Sequence, residues 1–186
     1  LPVRPANQRR IGVLGLGSLG QAVLQALQGL GFACAGWSRS QHQMDGICCY
    51  AGSDELPAFL EKLDVLVCLL PLTDATRGFL NADLFSRLPA GTALVHVGRG
   101  PQLVTADLLA ALATGQLSEA VLDVTDPEPL PEGHPLYHHP RVVLTPHLSW
   151  SAANAPALTA CCCCPTTSPK PARKASSPMS RRSAKA

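Results

Sequence analysis

The stretch RRIGVLGLGSLG, residues 9–20, constrains this chain more than any other. A short apolar run at residues 11–14 leads into a G-x-G-x-x-G pattern with Gly15, Gly17 and Gly20, and an amphipathic segment at residues 19–30 follows. Strand, glycine turn and helix in that order give the pattern its physical meaning. Gly15 permits the tight turn, Gly17 lets a pyrophosphate approach the backbone, and Gly20 lets the helix pack closely on the strand. The start of the helix then offers N–H groups and a positive dipole end to phosphates. The pattern points to a dinucleotide site and names no reaction.

The rest of the body alternates in the same way. Apolar runs predict strands over residues 11–14, 32–37, 65–70, 93–97, 120–124 and 142–145, and helical patterns fall at residues 19–30, 56–63, 83–88 and 106–114. Ser53, Asn81 and Thr105 are read as N-caps, and Gly31, Gly91 and Gly115 as helix stops. Strands this continuously apolar suit a parallel sheet covered on both faces. The expected fold is therefore α/β, a doubly wound parallel sheet of the Rossmann type. Residues 1–8 read as a linker, 9–153 as the nucleotide-binding domain and 154–186 as a disordered or aberrant Pro/Ser/Arg-rich tail.

The formal net charge of +2 hides an asymmetry. Every acidic residue lies at or before Glu132, while Lys170, Arg173, Lys174, Arg181, Arg182 and Lys185 crowd the end. The body is mildly acidic and offers no nucleic-acid surface. No apolar run approaches the ~20 residues that span a membrane, and the first residues lack the apolar core of a signal peptide. The expectation is a cytoplasmic protein. Cys34, Cys48, Cys49 and Cys68 lie in or near apolar segments and read as packing thiols. The run from Cys161 to Cys164 lacks metal-ligand spacing, so no metal site is expected. With its basic low-complexity sequel, that run resembles out-of-frame translation of GC-rich DNA.

The second predicted strand ends at Trp37-Ser38-Arg39-Ser40. NAD sites place a carboxylate near this point, on the ribose 2′-OH. Here no acid appears until Asp45, and Arg39 would pair with a 2′-phosphate while Ser38 and Ser40 donate to it. This window favours NADPH over NADH; the other reading of Arg39 is an exposed loop residue.

Three further segments are informative: LVHVGRG (94–100), LDVTDPEPLP (122–131) and HPRVVLTPH (139–147). With GLGSLG they resemble the D-isomer-specific 2-hydroxyacid dehydrogenases, and among these the glyoxylate/hydroxypyruvate reductase A type, over roughly residues 10–150. The related reductases share the W-S-R segment. The resemblance implies catalytic roles for Arg99 of the R-G pair, Glu128 of E-P-L and His147 after T-P. Reduction of a 2-keto acid builds negative charge on the ketone oxygen. A protonated imidazole can neutralise that charge, worth about 10²–10⁴-fold. A carboxylate on the other ring nitrogen fixes the tautomer, and an arginine fork holds the substrate carboxylate.

The resemblance also implies cofactor contacts. Ser18 and Leu19 join Gly15, Gly17 and Gly20 at the phosphates, and Leu70-Pro71-Leu72 flanks the adenosine. Thr76 reaches a phosphate or the ribose. Val97 and Gly98 pass beneath the nicotinamide, near Arg99 and His147. Asp123 bonds the carboxamide, or else caps a loop as strand-end Asp residues often do. The remaining histidines, His42, His96, His134, His138 and His139, read as loop or packing residues.

Family members carry a separate substrate domain, and this chain looks like the cofactor domain alone. The expectation is cofactor binding with weak or no turnover. Leu148-Ser149-Trp150 is also unusual, since small residues commonly follow the catalytic His. The expected partner is a small 2-keto acid, and the resemblance implies a homodimer through the cofactor domain. The second reading is a non-catalytic nicotinamide-binding module that recruits a partner. A third, another dehydrogenase class with a similar glycine start, would use a Lys or Cys deeper in the chain and lacks the R-G, E-P-L and P-H series.

Overall fold

In the computed structural model, which describes residues 5–148, the apolar run after Arg9 becomes β1 (Arg10–Leu14), buried from its second residue on. The glycine turn leads into α1 (Ser18–Gly29). The chain continues through β2 (Ala33–Ser38), β3 (Cys48–Ala51), α2 (Gly52–Leu60), β4 (Val65–Cys68), α3 (Ala82–Ser86), β5 (Thr92–His96), α4 (Thr105–Thr114), β6 (Leu117–Leu122) and β7 (Val142–Leu144). The strands lie in the order β3-β2-β1-β4-β5-β6-β7, and each neighbouring pair is parallel. This is the expected doubly wound sheet. All strand ends that lead into the glycine, Arg99, Glu128 and His147 segments emerge on one edge.

Alternation along β1 feeds two cores. Val13 packs with Leu16 and Leu24 beneath α1. Leu14 joins Phe59, Leu60 and Leu63 of the α2 region, Phe85 of α3 and Leu112 of α4 on the opposite face. On the α1 side, Val13, Val67, Val95, Val121 and Val143 form one row in register across five strands. Burial along that row falls from complete at Val13 to 56% exposure at Val143.

The local expectations fare unevenly. Asn81 caps α3, its side chain accepting from the Leu84 N–H at 3.0 Å. Gly115 ends α4 in the left-handed region. Ser53 is not a cap: α2 starts earlier than expected, with Ala51 as N-cap and Ser53 inside the helix. There the Glu55 carboxylate reaches back one turn to accept from the Ala51 N–H at 2.6 Å. Thr105 is the first helical residue, and Val104 stands at the cap. Gly91 leads into β5, five residues after α3 has ended. β3 was not expected. The short apolar run ICCYA at residues 47–51 was its signal in the sequence; Cys48 is exposed, the next three residues are partly buried, and the strand pairs with β2. The run from Cys161 and the remainder of the tail lie outside the described residues.

Burial holds the Cys34, Cys49 and Cys68 thiols protonated, that of Cys68 most strongly, at about 12. These are packing groups, as expected of thiols in apolar surroundings. Leu66, fully buried at the middle of the sheet, tests the core. Leu66→Ala should lower unfolding stability by about 2–5 kcal/mol, read as a reduced urea midpoint with an unchanged slope.

Candidate functional site

The strand order places a topological switch point between β1 and β4, because the chain runs outward from β1 to β3 before returning to β4 on the other side. Open parallel sheets bind ligands in the crevice at such a point. Gly15 sits there with φ 105°, and its N–H donates to the Trp37 carbonyl at 2.8 Å. A Cβ on Gly20 would lie 1.8 Å from the Gly15 carbonyl oxygen, so only glycine lets α1 press onto the turn. A Cβ on Gly17 would meet nothing within 4 Å. Open space therefore lies against the backbone where a pyrophosphate would approach, at the start of a helix that has no side-chain cap. Gly15, Gly17, Ser18, Leu19 and Gly20 share this cavity with Leu70, Pro71 and Leu72 after β4 and with Val97, Gly98 and Arg99 after β5.

A second cavity, of about 450 Å³, continues past Gly15 and Gly17 to the end of β2. One wall is the Trp37 indole, stacked on Phe79 at 5.8 Å and anchored by its N–H to the Gly52 carbonyl at 2.8 Å. Ser38, Arg39 and Ser40 line its far end together with His42, and no carboxylate lines it. Ser38 Oγ donates to the Ser40 carbonyl at 2.6 Å and lies 3.0 Å from His42 Nδ1. That carbonyl is 2.9 Å from the same nitrogen and can only accept, so Nδ1 carries the proton. His42, read from sequence as a loop or packing residue, thus belongs to the cavity wall. Thr76 lines the same cavity, but its hydroxyl closes its own loop, donating to the Pro71 carbonyl at 2.7 Å and accepting from the Thr73 N–H at 2.8 Å.

The loops after β5, β6 and β7 carry Arg99, Glu128 and His147. Glu128 Oε1 and His147 Nδ1 are 2.9 Å apart. The carboxylate accepts, so Nδ1–H donates and Nε2 is left as the nitrogen that can exchange a proton. His147 has φ 50°, a region most side chains avoid. Its flanks are clamped by Asp123, whose Oδ1 accepts from Thr145 Oγ1 and from the Leu148 N–H. Asp123 thus adopts the loop-capping arrangement, one of its two sequence readings. Arg99 is exposed and opens a short 3₁₀ turn, Gly100–Gln102. A Cβ on Gly100 would lie 1.9 Å from the Thr125 carbonyl, so the loops after β5 and β6 touch at that glycine. Glu128, Asp123 and Thr145 line a separate cavity with Tyr137.

Two buried polar residues flank Arg99: His96, read from sequence as a loop or packing residue, and Gln102, which the sequence reading did not single out. His96, fully buried at the end of β5, sets Nε2 3.0 Å from the Arg99 carbonyl. Gln102, also fully buried, accepts from the Arg99 N–H at 2.8 Å and donates to the carbonyls of Leu70 and Pro71, both at 3.0 Å. Their position within three residues of the R-G pair was the available signal. Among the described residues no group of His, Cys, Asp and Glu is placed to hold a metal, and no helix is long and apolar enough to cross a membrane.

A parallel sheet with a glycine cradle at its switch point is a nucleotide-binding domain of the Rossmann class. Residues 1–149 match the family model for the NAD-binding domain of D-isomer specific 2-hydroxyacid dehydrogenases, and the chain belongs to that family. It is 47% identical over 150 residues to a glyoxylate/hydroxypyruvate reductase A of Serratia proteamaculans, covering 80% of this chain and 48% of that protein. A crystal structure of a D-isomer specific 2-hydroxyacid dehydrogenase family protein from Klebsiella pneumoniae is 51% identical, with a TM-score of 0.79 over 80% of this chain and 48% of the other. An NADPH-dependent glyoxylate/hydroxypyruvate reductase of Sinorhizobium meliloti, solved with NADP and sulfate, is 39% identical with a TM-score of 0.77 over the same shares. The chain spans about half the length of the curated relatives it matches.

The environment of His96 has a measurable consequence. Burial pushes its imidazole down to about 4, with the hydrogen bond to the Arg99 carbonyl opposing in part. The unfolded chain titrates near the ordinary value of 6.5, so between these two values it binds the proton that the folded chain refuses. His96 therefore makes stability fall as pH drops from about 6.5 to about 4, and rise with pH across that window. His96→Asn should flatten this part of the urea-midpoint profile; an unchanged slope would show that His96 titrates normally.

Proposed function

We propose that this chain is the nicotinamide-binding part of a reductase that converts a small 2-keto acid, glyoxylate or hydroxypyruvate, to the 2-hydroxy acid, with NADPH preferred and NADH accepted. The observation that carries the reading is the 2.9 Å Glu128–His147 pair, on the same edge of the sheet as Arg99 and the glycine cradle. Gly15, Gly17, Ser18, Leu19 and Gly20 would hold the pyrophosphate. Trp37, Leu70, Pro71, Leu72 and Thr76 would enclose the adenosine half, and Val97 and Gly98 would underlie the nicotinamide. Arg39 and Ser40 would take the 2′-phosphate, with Ser38, whose hydroxyl donates to the Ser40 carbonyl, shaping the turn that presents them; the absence of a carboxylate from their cavity wall favours that charge. When bound, the reduced nicotinamide supplies hydride to the ketone carbon.

The chain's own residues do the rest. Arg99 binds the substrate carboxylate and polarises the ketone. Glu128 holds the His147 ring and favours its charged form. His147 gives a proton from Nε2 to the developing alkoxide. Asp123 holds the turn that aims His147. The four described cysteines are free thiols, as a reducing compartment keeps them, and a cytoplasmic setting belongs to the proposal. So does a homodimer through this domain. The second reading is a nicotinamide-binding module that recruits a partner.

Titration with NADPH and NADH, followed by addition of glyoxylate under 340 nm absorbance, tests the reading. NADPH should bind more tightly than NADH. Arg39→Ala should weaken NADPH about 10- to 100-fold, as loss of charge-assisted hydrogen bonds does, and leave NADH unchanged. His147→Gln should keep NADPH binding and lower glyoxylate-dependent oxidation by about 10²–10⁴-fold. Equal binding of the two nucleotides would sink the phosphate assignment. Tight NADPH binding without oxidation would favour the module.

A further inference from the structure

The backbone of Arg99 is held at both ends of its peptide environment by side chains that never reach solvent. Its N–H donates to Gln102 Oε1 at 2.8 Å, and its carbonyl lies 3.0 Å from His96 Nε2. Gln102 and His96 are both fully buried. A carbonyl only accepts, so His96 carries its proton on Nε2 and is neutral, in keeping with the downward push of burial. The orientation of the Gln102 amide is equally determined. Its oxygen faces the Arg99 N–H, and its nitrogen faces two carbonyls, Leu70 and Pro71, at 3.0 Å each. A flipped amide would set oxygen against both carbonyls and nitrogen against an N–H. The cage admits no side chain at residue 98, where a Cβ would lie 2.2 Å from Gln102 Oε1 and 3.1 Å from the Leu70 carbonyl.

Leu70 and Pro71 wall both cavities of the cradle, the one reaching the end of β2 and the one reaching Arg99. A ligand lying along the crevice rests on this loop, and the loop's two carbonyls end on one amide whose other end is the Arg99 peptide. We infer that Gln102 is a positioning residue: it links the seating of the dinucleotide on the Leu70–Pro71 loop to the placement of Arg99, the proposed anchor of the substrate carboxylate. The linkage rests on the dinucleotide-site reading given above. It makes the cofactor half and the substrate-binding arginine one mechanical unit, joined across 31 and 32 residues of sequence by a single side chain. A buried amide with every donor and acceptor engaged is suited to this, because any shift of the loop leaves a polar group unpaired in the core.

Amide hydrogen exchange of the full chain, with and without saturating NADPH, tests the inference. In the unsubstituted chain NADPH should slow the amides of Leu72 and Arg99 together, by about tenfold or more, within the range of site–site coupling. In Gln102→Met, which keeps the volume and removes the hydrogen bonds, NADPH should still slow Leu72 while the response of Arg99 disappears. Gln102→Asn, too short to span both carbonyls and the Arg99 N–H, should behave alike if the methionine variant does not fold. A merely structural Gln102 would lower protection at both positions and leave both responses to NADPH in place, which would overturn the proposal. So would slowing of Leu72 without Arg99 in the unsubstituted chain, a result that needs no variant. Absence of any NADPH binding would overturn the dinucleotide reading and this inference with it, so the two failures are told apart by whether Leu72 responds.

Discussion

The contact between the turn after β1 and the first turn of α1 is the constraint on which the rest depends. The Gly15 N–H is bonded to the Trp37 carbonyl, and α1 approaches so closely that a methyl group at Gly20 would strike the Gly15 oxygen. This packing joins β1 to β2 on one side and seats α1 over Val13 and Leu16 on the other. It also sets the uncapped helix start beside the open space at Gly17. A larger residue at position 20 would move the helix and close the crevice in one step, because interiors packed at crystal density do not absorb an extra methyl group.

From that turn the edge of the sheet is assembled by contacts between successive loops. The loop after β4 is tied to the loop after β5 through Gln102. The loop after β5 touches the loop after β6 where Gly100 meets the Thr125 carbonyl. The end of β6 holds the segment after β7 through Asp123. Three side chains from three distant segments thus share one edge, although each lies on a loop. Parallel pairing makes this arrangement available, since every strand enters the sheet in the same direction and leaves at the same edge.

The electrostatics divide along the same edge. The cavity at the end of β2 presents Arg39 and His42 and no carboxylate, whereas the far end of the sheet places Glu128 against His147. The first arrangement suits a fixed anionic group. The second suits proton exchange at a ring nitrogen whose tautomer is set by its neighbour. Buried polar groups elsewhere serve geometry: His96 is held neutral by burial, and Thr92 spends its hydroxyl on the Leu63 and Pro89 carbonyls at 2.9 and 2.7 Å.

Much of this was readable from the chain itself, wherever the signal is short in range. Continuous apolar runs marked six of the seven strands, and the glycine spacing marked the turn. Asn81 and Gly115 marked their helix ends, because capping depends on a residue and its near neighbours. The R-G, E-P-L and T-P-H segments singled out Arg99, Glu128 and His147 before any contact was visible. Where reading failed, the deciding partner was remote. β3 pairs with β2, and Asp123 holds a turn 22 to 25 residues away. The partners of His96 and Gln102 became visible only in the fold, where His96 Nε2 meets the Arg99 carbonyl and Gln102 meets the Arg99 N–H and two carbonyls. Periodicity and turn chemistry are properties of adjacent residues, and so the sequence by itself determined the fold class and the glycine turn, and singled out the side chains proposed to react. Which buried polar groups hold those side chains in place was decided only by the tertiary structure, since a hydrogen bond across thirty residues leaves no local pattern.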